Sequence, residues 1–169
     1  MLVLSKRVLR TLLVLNWVFV AFFAALLIVL LSPAGGDHAV AALSRIYPPD
    51  HAAVLVRATI WLMAIGIAAG ISAHILFRRM LAIVATAIAG DPFTLANARR
   101  LRVVGWALLA IQILDLVLGV LSMIVDSRTG EGLGWSPSVG GWIAVLMLFV
   151  LARVFEQGSR MRDQLAMTV

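Results

Sequence analysis

Hydrophobic and polar positions in this chain fall into long blocks rather than alternating residue by residue. Residues 11–31 are apolar except for Asn16, and further apolar runs cover 54–77, 104–125 and 138–155. At ~1.5 Å of rise per residue the first run is ~31 Å long, enough to cross a hydrocarbon core of ~30 Å. It exceeds a signal peptide's apolar region of about 7–15 residues, and Ser32-Pro33-Ala34 is a poor cleavage site, so it reads as a first transmembrane helix. The blocks predict an all-α fold, an integral membrane bundle of four transmembrane helices.

The polar interruptions predict where those helices stop. Residues 32–50, broken by Pro33, Gly35, Gly36, Pro48 and Pro49, read as a connector. The alternative is a short interfacial helix capped by Asp37, with Val40, Leu43 and Tyr47 at helical spacing. Asp50 is the expected N-cap of the second helix. Its pattern runs past Arg78 and Arg79 to Gly90, which predicts one helix over 51–89, ~58 Å long. Gly90 is its expected C-cap, with the turn at Asp91-Pro92. Thr94 is expected to cap the third helix. Ser136 and Pro137 read as N-cap and first residue of the fourth, which runs past Phe155 towards Leu165 with residues 167–169 frayed. Helices 2, 3 and 4 are thus expected to extend into the cytoplasm as a hairpin, 78–103, and a tail, 156–169.

Composition fixes the solvent. The 169 residues, one domain's worth, are 63% hydrophobic and 13% charged, with a mean hydropathy of +1.06, more apolar surface than a globule of this size can bury. The net charge is +6. The basic residues cluster beside the apolar runs, which argues for membrane topology and against direct nucleic-acid binding. Lys6, Arg7 and Arg10, the five arginines from Arg78 to Arg102, and Arg153, Arg160 and Arg162 stand on one side; only Arg45, Arg57 and Arg128 stand on the other. The positive-inside rule then places both termini and the hairpin in the cytoplasm. Trp106 on the inner side, and Trp135 and Trp142 on the outer, fit an interfacial belt. The absence of cysteine excludes disulfides, thiolate metal sites and cysteine nucleophiles.

Few residues carry candidate chemistry. Asp115 lies near the middle of the third span, where an ionised side chain costs at least ~2.5 kcal/mol. Gln112, one turn earlier, is expected to share its face as a polar seam, and Arg57 is its expected salt-bridge partner. The functional reading of Asp115 is a proton or ligand site, the structural one a hydrogen-bonded carboxyl that fixes helix register. His38 and His51 belong to one side and His74 to the other, so no metal or haem site is expected and no cofactor is implied. Gly66 and Gly70 form a Gly-x-x-x-Gly motif that serves packing within the chain or a homo-oligomer. Glu156 and Arg160 form a favourable i, i+4 pair. No phosphate loop, zinc-protease motif or nucleophile elbow occurs, and with no paired acids or metal cluster at one depth an enzyme ranks last.

Gly90-Asp91-Pro92-Phe93, then Asn97-Ala98-Arg99-Arg100-Leu101-Arg102 and Gly105-Trp106, followed by residues 149–153, Phe155-Glu156-Gln157-Gly158, Met161-Arg162-Asp163 and a closing Thr168-Val169, form a recognisable series. It resembles a bacterial family of four-span membrane proteins, the YoaS-like domain of unknown function. The likeness covers the second half of the chain by motif and the first half by hydropathy. It implies a non-enzymatic membrane regulator, encoded beside a small Cro/CI-type helix-turn-helix protein that it docks and sequesters. The expected docking face is Asp91, Pro92, Phe93, Asn97, Arg99, Arg100 and Arg102 of the hairpin with Arg160 and Arg162 of the tail. The rival function is a small transporter or accessory subunit with a proton- or ligand-responsive site at Asp115.

Overall fold

The computed structural model describes residues 2–131 and 134–166, with side chains over 4–131 and 134–161. It contains five helices: α1 (Leu2–Leu31), α2 (Pro33–Leu43), α3 (Pro49–Ile88), α4 (Leu95–Thr129) and α5 (Val139–Ala166). The fold is all-helical, with no strand among the described residues. Four helices, all but α2, are long and apolar enough to cross a membrane, which is compatible with a multi-pass membrane protein. Arg162, expected at the docking face, and the expected fraying of 167–169 lie outside the described side chains and residues.

The helix ends follow local chemistry, with several departures from expectation. Lys6, Arg7 and Arg10 do not delay α1, because long basic side chains are good helix formers and leave the backbone ladder intact. The segment after α1 is a helix rather than a bare connector. Its N-cap is Ser32 instead of Asp37: the Ser32 hydroxyl accepts from Gly35 N at 3.1 Å, and Pro33 occupies the first turn. Asp50 falls inside the first turn of α3, not at its cap. α3 runs 40 residues unbroken, ~60 Å at ~1.5 Å per residue, about twice the hydrocarbon core. It stops at Gly90, whose φ of +87° a side chain would oppose. Thr94 caps α4, its hydroxyl accepting from Asn97 N at 3.2 Å. Ser136 and Pro137 do not open α5, which begins at Val139.

The chain divides into two compact units. One comprises residues 1–17, 72–112 and 139–169, the other 18–71 and 113–138. The first carries eleven basic and three acidic side chains, a net charge of +8; the second carries three basic and five acidic, −2. Few side chains are buried, and large apolar residues face outwards along every long helix: Phe22 and Ile28 on α1, Trp61 on α3, Met123 on α4 and Leu146 on α5. An apolar exterior of this extent is stable in lipid and not in water.

Candidate functional site

The hairpin end of the first unit is organised around Asn97, a residue with no exposed surface. Its carboxamide Nδ2 donates to the Thr86 hydroxyl of α3 at 2.7 Å and to the Pro92 carbonyl of the turn at 2.8 Å. Its Oδ1 accepts from the Arg100 guanidinium at 2.8 Å, and Arg100 also reaches the Ala82 carbonyl on α3 at 3.4 Å. One amide therefore ties together the end of α3, the turn and the first turn of α4. Asparagine suits this position because a donor and an acceptor are needed on one short side chain. Of the expected docking residues, Asn97, Pro92 and Arg100 are thus committed to the hairpin itself. A buried network of this kind gives a rigid turn, since breaking one bond leaves its partners unsatisfied.

Phe93 extends the same rigidity to α5. Its ring meets Phe155 at a centroid separation of 5.0 Å and lies against Gly158. Further along, Trp106 packs edge-on to Phe149 at 5.4 Å. Asp91 is half-buried, with its amide nitrogen donating to the Thr86 carbonyl at 3.2 Å. Among the described side chains, the exposed part of the docking set is then Phe93, Arg99, Arg102 and Arg160. Glu156 bridges two of them: it accepts from Arg102 at 2.9 Å and from Arg160 at 2.8 Å, the latter the expected i, i+4 pair. Arg99, Arg102, Glu156, Ser159 and Arg160 line a shallow groove of about 300 Å³ with Leu95 and Ala98. Sequence spacing revealed the Glu156–Arg160 pair, but the Arg102 contact joins two helices and has no local signature.

Of the candidate intramembrane polar residues, Asp115 and Arg57 are arranged differently from expectation. Gln112 is buried, with its carboxamide against Gly141 of α5, where any side chain would collide with it. Asp115 does not pair with Arg57. Its Oδ1 accepts from the Trp135 indole Nε1 at 3.2 Å, while Oδ2 is buried without a hydrogen-bond partner. Arg57 is exposed and its Nε donates to the Ala53 carbonyl at 3.4 Å. The physical reason is desolvation: a guanidinium pays heavily to leave the interface, whereas an indole N–H is a neutral donor on a largely apolar ring. Trp135 is consequently half-buried. Its ring lies on Gly119, where an added Cβ would stand 2.8 Å from ring atoms. By helix rise these contacts lie ~15–21 Å back from the end of α4, so Trp135 returns well alongside that helix.

Gly66 of the Gly-x-x-x-Gly motif is covered by Phe23 of α1, with an added Cβ 2.7 Å from the ring, so at this glycine the motif serves packing within the chain. No group of three or more His, Cys, Asp or Glu side chains that could hold a metal ion occurs among the described residues. No protein-family model, curated protein or solved structure matches the chain.

Proposed function

We propose that the chain is a non-enzymatic multi-pass regulator of the bacterial inner membrane, which docks a small helix-turn-helix protein on the cytoplasmic face of its hairpin and holds it from DNA. The resemblance in the hairpin and α5 motifs supplies the class of partner. The observation that carries the reading is the placement of Arg99 and Arg102 on α4 and Arg160 on α5, exposed and linked in part through Glu156, with the start of α4 locked to α3 and the turn by Asn97. A rigid basic face gives an acidic partner surface complementary charge at little ordering cost. Glu156 already neutralises part of that face, so a partner carboxylate competes with it for Arg102 and Arg160. Positive-inside bias supports the cytoplasmic side for the basic end of this unit, which has a net charge of +8.

Two experiments test this. The cysteine-free chain permits single-cysteine topology mapping: a cysteine at Ser5 or Ala96 should resist a membrane-impermeant maleimide in intact cells, and one at Ala34 should react. The reverse pattern would refute the orientation. Co-expression with the regulator encoded beside the gene should give a detergent-stable complex that is lost in Arg99→Ala/Arg102→Ala/Arg160→Ala. Purification of each protein alone at low salt would refute the docking function.

A second reading, a transporter or accessory subunit acting through Asp115, draws on the unpartnered, buried Oδ2. It requires that Asp115→Asn abolish proton- or ligand-dependent behaviour while leaving the fold intact.

A further inference from the structure

One concavity of the first unit shares no lining residue with the groove at the docking face. It is a groove of about 600 Å³ between α1 and α3, lined by Lys6, Arg10, Trp17, His74 and Arg78, with Leu13, Val14 and Leu81 among its apolar lining. This volume lies within the range of about 300–1,000 Å³ usual for ligand sites. Three of its lining side chains are cationic and none is acidic. None of the three takes part in an ion pair among the described residues, in contrast to Arg102 and Arg160. A second groove adjoins it through His74, Arg78 and Ala82, and adds Arg79 and Arg100.

Three like charges around one groove repel one another, and α1 and α3 meet there without an acid to offset them. Trp17 packs edge-on to His74 with centroids 5.1 Å apart, which fixes the groove's inner end. The order of chemistry along the groove is directional. Lys6 and Arg10 precede the apolar run of α1, and Arg78 ends the apolar run of α3, so the cations sit at the level where a bilayer's phosphates lie. From there Leu13, Val14 and Trp17 of α1, with His74 of α3 beside Trp17, continue into the apolar spans, while Leu81 and Ala85 lie past Arg78 at the level of the cations. A free phosphate would use the cations alone, whereas a phospholipid uses both parts, with its phosphodiester at the cations and an acyl chain on the apolar wall. Basic pockets between transmembrane helices on the positive side of a membrane recognise anionic headgroups by this combination.

We propose that this groove is a binding site for an anionic phospholipid, with Lys6, Arg10 and Arg78 holding the phosphodiester and Leu13, Val14 and Trp17 lying along an acyl chain. The lipid acts as the missing counter-charge that lets α1 close on α3. The site is separate from the docking face and stands whether or not a regulator binds there.

The test uses the full chain, purified in a mild neutral detergent, delipidated, and titrated with single lipids under native mass spectrometry. Phosphatidylglycerol and cardiolipin should bind in preference to phosphatidylethanolamine. Lys6→Gln/Arg10→Gln/Arg78→Gln should weaken that binding by roughly 100-fold, about fivefold for each cation. Arg45→Gln, outside the groove, should leave it unchanged. Should the triple variant not fold, the single substitution Arg78→Gln and the headgroup preference of the unmodified chain decide the matter. Equal affinity for phosphatidylethanolamine, or unchanged affinity in a folded groove variant, would overturn the proposal. So would displacement of the lipid by millimolar inorganic phosphate, which would make the groove a phosphate site.

Discussion

Replacing Asn97 by leucine tests whether the hairpin is held by one buried amide. The residue is 0% exposed, and the substitution removes bonds to Thr86 Oγ1 at 2.7 Å, to the Pro92 carbonyl at 2.8 Å and from Arg100 at 2.8 Å. Two neutral hydrogen bonds at ~1 kcal/mol each and one charge-assisted bond at ~1.5–3 kcal/mol give a gross loss of ~3.5–5 kcal/mol. The leucine side chain is apolar where the amide was polar, which returns ~1–2 kcal/mol through burial. The net expectation is a loss of ~1.5–4 kcal/mol. Asn97→Asp retains the acceptor for Arg100 but loses both Nδ2 donors and turns a carboxylate oxygen towards the Pro92 carbonyl, for a loss of ~1–3 kcal/mol. Reversible unfolding by SDS in mixed micelles, followed by far-UV circular dichroism, measures both. A double-mutant cycle of Asn97→Leu with Arg100→Gln should show a coupling of at least ~1 kcal/mol, because the two side chains share one bond. A loss below ~0.5 kcal/mol for Asn97→Leu, or additive single substitutions, would refute the lock.

Asp115→Asn keeps an acceptor for the Trp135 indole and should unfold within ~0.5 kcal/mol of the parent, whereas Asp115→Leu strands that donor and should cost ~1–3 kcal/mol in the same assay; equal effects would show that the bond contributes nothing. Gly66→Ala places a methyl group 2.7 Å from the Phe23 ring and should destabilise by ~1–3 kcal/mol through overpacking, with Phe23→Leu relieving most of the loss when the two are combined. Glu156→Gln removes the carboxylate between two well-exposed arginines, so its stability cost should stay below ~1 kcal/mol and vanish in high salt. Under the docking proposal the same change frees Arg102 and Arg160, and should strengthen binding of the partner when measured by titration in nanodiscs.

The amino-acid sequence by itself determined that the fold is all-helical and that four of its helices are long and apolar enough to cross a membrane. Those follow from local quantities: the length of each apolar run, the unbroken helix-favouring series from Val54 past Arg79, the positive φ reserved for Gly90, and the Thr94 cap. Charge was equally legible, because the eleven basic residues that hydropathy assigned to one side are the eleven of one compact unit. Where local signals competed, the sequence read less well. Ser32 prevailed over Asp37 as a cap because Pro33 had already set the first turn, and Ser136-Pro137 looked like a helix start although α5 begins at Val139.

Tertiary structure alone decided what the polar residues do. Asn97 and Arg99 stand in one motif and look equally available, yet one is sealed beneath the turn and the other faces outwards. That difference depends on where Thr86 and the Pro92 carbonyl lie, and no spacing rule within α4 encodes them. Asp115 found an indole returning from the following loop instead of an arginine on another helix, since a neutral donor reaches a buried carboxylate at less desolvation cost than a charge does. The cationic groove is likewise invisible along the chain. Lys6, Arg10 and Arg78 become neighbours only when α1 packs on α3, and helix packing is fixed by side-chain shape over the whole contact and not by any local pattern.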